Sequence, residues 1–260
     1  MNIVQQFIAQ NDCFKANVNR VDSRYVKFQD NGPTDLMLHS AGCAQPDADV
    51  FFRAWNKPNV QKAVHAFIDA NTGDVHQFLE WNYRGWHSGG TANNTHIGVE
   101  MCESGYIQYT GANTFDVLNR TRAVADCVRA YHSAVELFAY LCEMWQLDPV
   151  TNICSHKEGY ELGIATNHGD PEHYWKGLGM NYTMDTFRQN VYDLIHTEPV
   201  VELPFTDVDP ERWSYEGICY CYRNGITAGT SETKFSPKAN VTREQMAVML
   251  MRLGKLAGIE

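Results

Sequence analysis

At 260 residues, with 44% hydrophobic and 20% charged content, the chain is long enough to bury a substantial core in one or two domains. A formal net charge of -10 argues against nucleic acid as the main partner, and no apolar run approaches the length of a membrane span. The eight cysteines include no CxxC pair, which argues against a structural zinc site of two close pairs; they read as reduced, mostly core thiols.

In chain order, VQQFIA is read as opening a short helix, and the polar NDCFKANVNR that follows gives no assignment. Asn31-Gly32-Pro33-Thr34 is a turn signal. The apolar run Leu36 to His39 predicts a buried strand with His39 at its C-terminal end, where α/β folds place functional groups. A hydrogen-bonded core histidine is the other reading of His39. Asp47 to Trp55 predicts a helix with a polar cap. Val64–Ile68 and Val75–Leu79 flank an Asn- and Gly-containing loop and predict a β-hairpin, with His65 and His76 as strand-surface residues without function.

The segment Trp81 to Gly90 is rich in aromatics and glycine and carries Trp81, Trp86 and His87, a composition suited to lining a substrate groove or to a tight structural loop. His96 to Met101 predicts an apolar strand. Glu100 inside it needs a partner or a task, such as general base, unless it faces solvent. Asp116 to Leu147 carries an apolar stripe at three- and four-residue spacing and predicts one long helix ended by Asp148-Pro149. A short strand is expected over Asn152–Ser155, and a last helix over Thr183–His196, with Thr183 as N-cap and Met184, Phe187, Val191, Leu194 and Ile195 inward.

Between them, ICSHKEGYELGIATNHGDPEHYW (153–175) gathers His156, His168, His173 and Asp170 in a stretch with little apolar periodicity, read as a Gly-containing loop. His156 and Asp170, joined by His39 from upstream, form a two-His, one-carboxylate set of the kind that holds a catalytic zinc with an open position. Cys43 and His168 are alternative ligands. Residues 197–204, with two prolines, read as a linker. Beyond it, Asp209-Pro210 predicts a helix start, with Trp213, Ile218 and Tyr222 in a helix ending at Asn224-Gly225. Thr242 to Gln245 predicts a capping box that opens a second helix. A core this small predicts that the module leans on another surface, on a copy of itself or on a ligand.

Five motifs, in order, carry a resemblance to the zinc-dependent N-acetylmuramoyl-L-alanine amidases of the amidase-2 and peptidoglycan-recognition superfamily, phage endolysins especially. They are QNDCFKAN, LMLHSAG, GWHSGG followed by HIGVEM, CSHKEG, and NHGDPEHYW. The resemblance implies an α/β fold with a central mixed β-sheet flanked by helices over residues 1–196; the caps and apolar residues beyond the linker give a small all-helical module at 205–260. It implies Zn2+ on His39, His156 and Asp170, with Glu100 as the strand carboxylate that moves the proton. The family carries a lysine two residues before its last ligand; here that position is His168, which must be protonated to supply the same charge. The implied reaction is cleavage of the bond between N-acetylmuramic acid and L-alanine in peptidoglycan, with His87, Trp86 and Trp81 along the groove.

The C-terminal segments FTDVDPERW, NGITAGT, KFSP and VTREQMAVML resemble one S-layer homology repeat. That implies binding of a secondary cell-wall polymer, with Arg243 and Trp213 as contacts, or a homo-oligomer formed through the repeat. The N-terminus lacks a basic region followed by an apolar stretch, so the expectation is synthesis in the cytoplasm without a signal peptide and action at the wall after release.

Overall fold

The computed structural model describes residues 1–19, 28, 32–196 and 203–256. The chain divides into two compact units, Met1–Thr197 and Glu198–Glu260. Most of the expected linker, residues 197–202, lies outside the described residues. None of the described helices is long and apolar enough to cross a membrane.

The first unit is built on a six-stranded mixed sheet. Its strands are β1 (Ile3–Gln5), β2 (Asp35–Ser40), β3 (Ala66–Ile68), β4 (Val75–Gln77), β5 (His96–Met101) and, from later in the chain, β8 (Ile153–Ser155), in the order β1-β4-β3-β5-β2-β8. All pairings are parallel except the β3–β4 hairpin. Parallel pairing of β2 with β5 sets His39 opposite Glu100, and pairing with β8 sets Leu38 opposite Ser155, one residue before His156. Three groups far apart in sequence therefore arrive at the same ends of three adjacent strands.

The two faces of the sheet are unequal. Leu36, Leu38, Ile97, Val99 and Met101 enter the main core, while Met37 on the opposite face joins a small cluster with Ala92 and Cys154. By strand alternation His39, Gly98 and Glu100 share the face of Met37. The main core is covered by α2 (Ala48–Trp55), α3 (Arg120–Trp145) and α6 (Met184–His196). Asp47 caps α2 by accepting from the Asp49 amide. Along α3, Ala123, Ala130 and Ala134 are buried together with Tyr131, Phe138 and Leu141, and Phe187 of α6 meets Phe138 edge-on at 5.1 Å.

Several expectations are corrected. VQQFIA begins in a strand rather than a helix, because Ile3, Val4 and Gln5 pair with Val75, His76 and Gln77. The unassigned polar stretch forms α1 (Asp12–Asn19), whose first turn is tied by the Asn11 side chain accepting from the Cys13 amide at 2.8 Å. Helix α3 begins at Arg120, capped by Asn119; the residues before it form a hairpin of β6 (Ile107–Gly111) and β7 (Thr114–Val117). Leu194 is exposed, whereas Met184, Phe187 and Val191 are buried. His65 is wholly buried: its Nδ1 accepts from the Gly98 amide at 3.0 Å and its Nε2 lies 2.7 Å from the Tyr83 carbonyl. The stretch read as a loop after β8 holds two short helices, α4 (His156–Glu161) and α5 (Glu172–Gly177).

In the second unit, α7 (Tyr215–Arg223) starts later than Asp209-Pro210 suggested, and Trp213 precedes it, 91% exposed. Its core is Phe205, Val208 and Ile218, with Leu203, Tyr215, Tyr222 and Phe235 packed against it. The capping box at the start of α8 (Arg243–Leu256) forms as expected: Thr242 Oγ1 accepts from the Gln245 amide at 3.1 Å and Gln245 Oε1 accepts from the Thr242 amide at 2.8 Å. No residue of α8 is buried; Met246, Leu250 and Leu253 are exposed.

The start of α4 is held by a capping box in which Ser155 Oγ accepts from the Glu158 amide and Glu158 accepts from the Ser155 amide, both at 3.0 Å. Ser155 also donates to Glu172 at 2.8 Å. Because Ser155 is fully buried, Ser155→Ala is expected to lower unfolding free energy in urea by about 1–2 kcal/mol.

Candidate metal centre and catalytic cleft

His39 leaves the end of β2 and His156 opens α4. Asp170 reaches them from the turn before α5, and its Oδ2 accepts from the Ser40 amide at 3.3 Å. All three are buried, and one ligand atom from each lies within 4.8 Å of the others. His39 Nδ1 is 3.0 Å from His156 Nδ1 and 3.3 Å from Asp170 Oδ2; His156 Nδ1 is 3.6 Å from Asp170 Oδ1. Two neutral-capable imidazoles and a carboxylate converging on one space fit a divalent ion of the zinc type. Burial pushes the His39 pKa down, away from the imidazolium that would oppose a cation. Burial alone would raise the Asp170 carboxyl, but the imidazoles of His156 and His39 beside it outweigh that and hold the group well below the usual carboxylate range.

His156 and Asp170 line a cleft of about 400 Å3 whose wall also includes Lys62, Trp86, His87, Glu100, His168 and His173. Glu100 Oε2 is buried without a hydrogen-bond partner among the described residues. Burial, with the charges of Asp170 and Glu103 beside it, pushes the Glu100 carboxyl well above its ordinary range. Glu103 is wholly buried yet receives Ser40 Oγ at 2.7 Å, Tyr109 Oη at 2.6 Å and the Gly42 amide at 3.2 Å. Tyr109 Oη also lies 2.6 Å from His173 Nε2, so the hairpin β6–β7 is stitched to the wall of the cleft.

Residues 29–173 match the N-acetylmuramoyl-L-alanine amidase family, amidase-2. The chain belongs to this family. Residues 204–247 match the S-layer homology domain. In fold, the amidase is similar to the Staphylococcus aureus hydrolase AmiA solved with its ligand, at a TM-score of 0.53 and 15% identity over 75% of this chain and 83% of that one. A mutant endolysin from Bacillus subtilis aligns over 74% of this chain and 99% of that one, with a TM-score of 0.46 and 20% identity. An endoglucanase of Bacillus sp. strain KSM-635 is 47% identical over 49 residues, 19% of this chain, and the match spans only 5% of that protein's length.

Among the residues singled out from the amidase sequence, the structure brings His39, His156 and Asp170 together and sets Glu100 and His87 beside them. His168 stacks near His156, ring centroids 4.3 Å apart, but its side chain is 59% exposed and it stands outside the three-residue cluster. Cys43 is exposed and also stands outside it. Trp86 lines the cleft; Trp81, expected there, is 9% exposed within the main core and does not. Arg243 is exposed at the first turn of α8. Sequence reasoning passed over Ser40, Lys62, Glu103, Tyr109, Asn93 and Thr166. Glu103 carried a signal, a second acidic residue three positions after Glu100 at a strand end; the others carried none.

Burial raises the Glu103 pKa from 4.5 to about 7, so between those values the folded protein holds a proton that the unfolded chain has released. That contribution to stability is fully present below the unfolded value and is lost as pH rises through the folded one. In the metal-free protein the urea midpoint of the wild type, relative to Glu103→Gln, is expected to fall between about pH 5 and about pH 8. Parallel curves for the two proteins would show that Glu103 is ionised across that range.

Proposed function

We propose that the amidase hydrolyses the bond between the lactyl group of N-acetylmuramic acid and the L-alanine of the stem peptide, with one zinc ion held by His39, His156 and Asp170. The observation that carries this reading is the buried convergence of those three ligand groups near Glu100, a carboxyl oxygen of which has no partner among the described residues and which lines the same cleft as His156 and Asp170. When bound, zinc supplies Lewis acidity and makes water acidic enough, with a pKa near ~7, to be activated at neutral pH.

The remaining work falls to the chain's own side chains. Glu100 takes a proton from the attacking water and hands it to the alanine nitrogen as the carbon–nitrogen bond breaks, so the water oxygen ends on the lactyl carbonyl carbon and the amine leaves neutral. Its burial suits this task, because a carboxylate in a low-dielectric site binds a proton more readily than one in water. His168, on the cleft lining, would offset developing negative charge when protonated. Lys62, whose Nζ lies 4.5 Å over the Trp55 ring, is a second cationic group on the lining. Trp86 offers a flat apolar wall to the substrate.

The second unit supports action at the bacterial cell wall, outside the cytoplasm. Its S-layer homology match points to a wall polymer. Arg243 and Trp213 are both exposed and offer a cation and an aromatic face to an anionic chain. The exposed apolar residues of α8 favour association with a second copy as an additional mode.

Digestion of purified peptidoglycan tests the reaction. New N-terminal alanine without new reducing sugar, abolished by a chelator, is expected; a different new amino end would mark a peptidase, and no cleavage by zinc-loaded protein would leave a wall-binding role. His39→Ala should lose metal and activity together. Glu100→Gln should keep metal while the rate drops by roughly 10²–10⁴-fold. For the second unit, Arg243→Ala should weaken co-sedimentation with walls roughly tenfold, the scale of one charge-assisted hydrogen bond. Unchanged sedimentation removes Arg243 from the contact, and a monomer in light scattering removes self-association.

A further inference from the structure

His87 carries more of the site than groove lining. Its Nε2 lies 3.1 Å from the His96 carbonyl oxygen, which can only accept, so the ring proton sits on Nε2. In the neutral ring Nδ1 then bears a lone pair, and it stands 2.9 Å from His39 Nε2. His39 must therefore donate from Nε2, which leaves its Nδ1 unprotonated and facing His156 and Asp170.

A second arm repeats the pattern from the next residue. Thr166 donates its hydroxyl to the Ser88 carbonyl at 3.1 Å and its amide to the same oxygen at 2.9 Å. With its proton committed there, Thr166 Oγ1 is left as an acceptor 3.4 Å from His156 Nε2. His156 likewise turns Nδ1 inward.

The loop that does this is itself held tightly. The His87 and Ser88 amides both donate to Asn93 Oδ1, at 2.8 and 2.9 Å. The His87 ring lies against Gly98 of β5, where an added Cβ would come within 2.5 Å of it, and against Gly85, where an added Cβ would come within 2.7 Å. No other residue leaves room for the ring at these two positions.

We propose that His87 is a positioning residue that fixes the tautomer of His39, while Ser88 through Thr166 does the same for His156, so that both rings present Nδ1 lone pairs to the metal. The inference rests on the metal reading above. It assigns the Gly85–Gly90 loop to the outer shell of the metal centre, whereas Trp86 beside it keeps the substrate-facing role. Ligand orientation of this kind makes metal binding stronger, because no tautomer change has to accompany it.

Two measurements on the full chain test it. Imidazole nitrogen NMR of the metal-free wild type should show His39 protonated at Nε2; protonation at Nδ1 would overturn the proposal whether or not any variant folds. Competition with a chromogenic chelator then reads zinc and cobalt affinity. His87→Leu should bind about 10–100-fold more weakly, with an altered visible spectrum of the cobalt form. His87→Gln, whose amide can accept from His39 and donate to the His96 carbonyl, should recover most of the affinity. A wild type that binds neither ion removes the metal reading and this inference with it. A wild type that binds normally, matched by His87→Leu, removes the inference alone.

Discussion

Parallel pairing of β2 with β5 on one side and β8 on the other is the constraint on which the rest of the amidase depends. It sets His39 against Glu100 and delivers His156 at the end of the next strand. Slippage by one residue would turn every side chain of β2 to the opposite face. Leu36 and Leu38 would leave the main core and His39 would enter it, so burial of the leucines and position of the ligand are enforced by the same register. Chemistry is placed on the thinly covered face of the sheet because the other face is filled by α3, α6 and α2.

Holding ionisable groups in that position is costly, and the structure offsets the cost selectively. Asp170 is compensated by two imidazoles and a backbone amide, and stays ionised. Glu103 has three donors and still sits near about 7, because full burial outweighs them. Glu100 has an oxygen with no partner among the described residues, and burial raises its proton affinity well above the ordinary value. Three carboxyls close together in the fold thus differ in proton affinity through their surroundings alone.

The two units solve burial differently. The first has a core large enough to carry buried charges and close approaches such as His87 against Gly98. The second buries Phe205, Val208 and Ile218 but no residue of α8, so its stability leans on a few contacts and its apolar surface stays available. That division suits a catalytic unit joined to a wall-associating one.

Much of this was legible in the chain itself. Strands β2, β5 and β8, helices α2, α3 and α6, and the capping box of α8 follow from apolar period and cap chemistry, which act between residues a few positions apart. The ligand types were legible too, since His and Asp clustered in 153–175 carry their chemistry wherever they fold. Tertiary structure decided what depends on distant neighbours. It gathered His39, His156 and Asp170 into one buried cluster that leaves out His168 and Cys43, sent Trp81 into the core, buried His65, and put the start of VQQFIA into a strand by pairing Val4 and Gln5 with β4. It also gave His87 its second task, since which nitrogen of His39 carries the proton depends on contacts across separations of 48 and 117 residues. Local sequence encodes which groups are present and which backbone they sit on. The direction of a ring, the partner of a proton and the cost of a charge are properties of the packed surroundings.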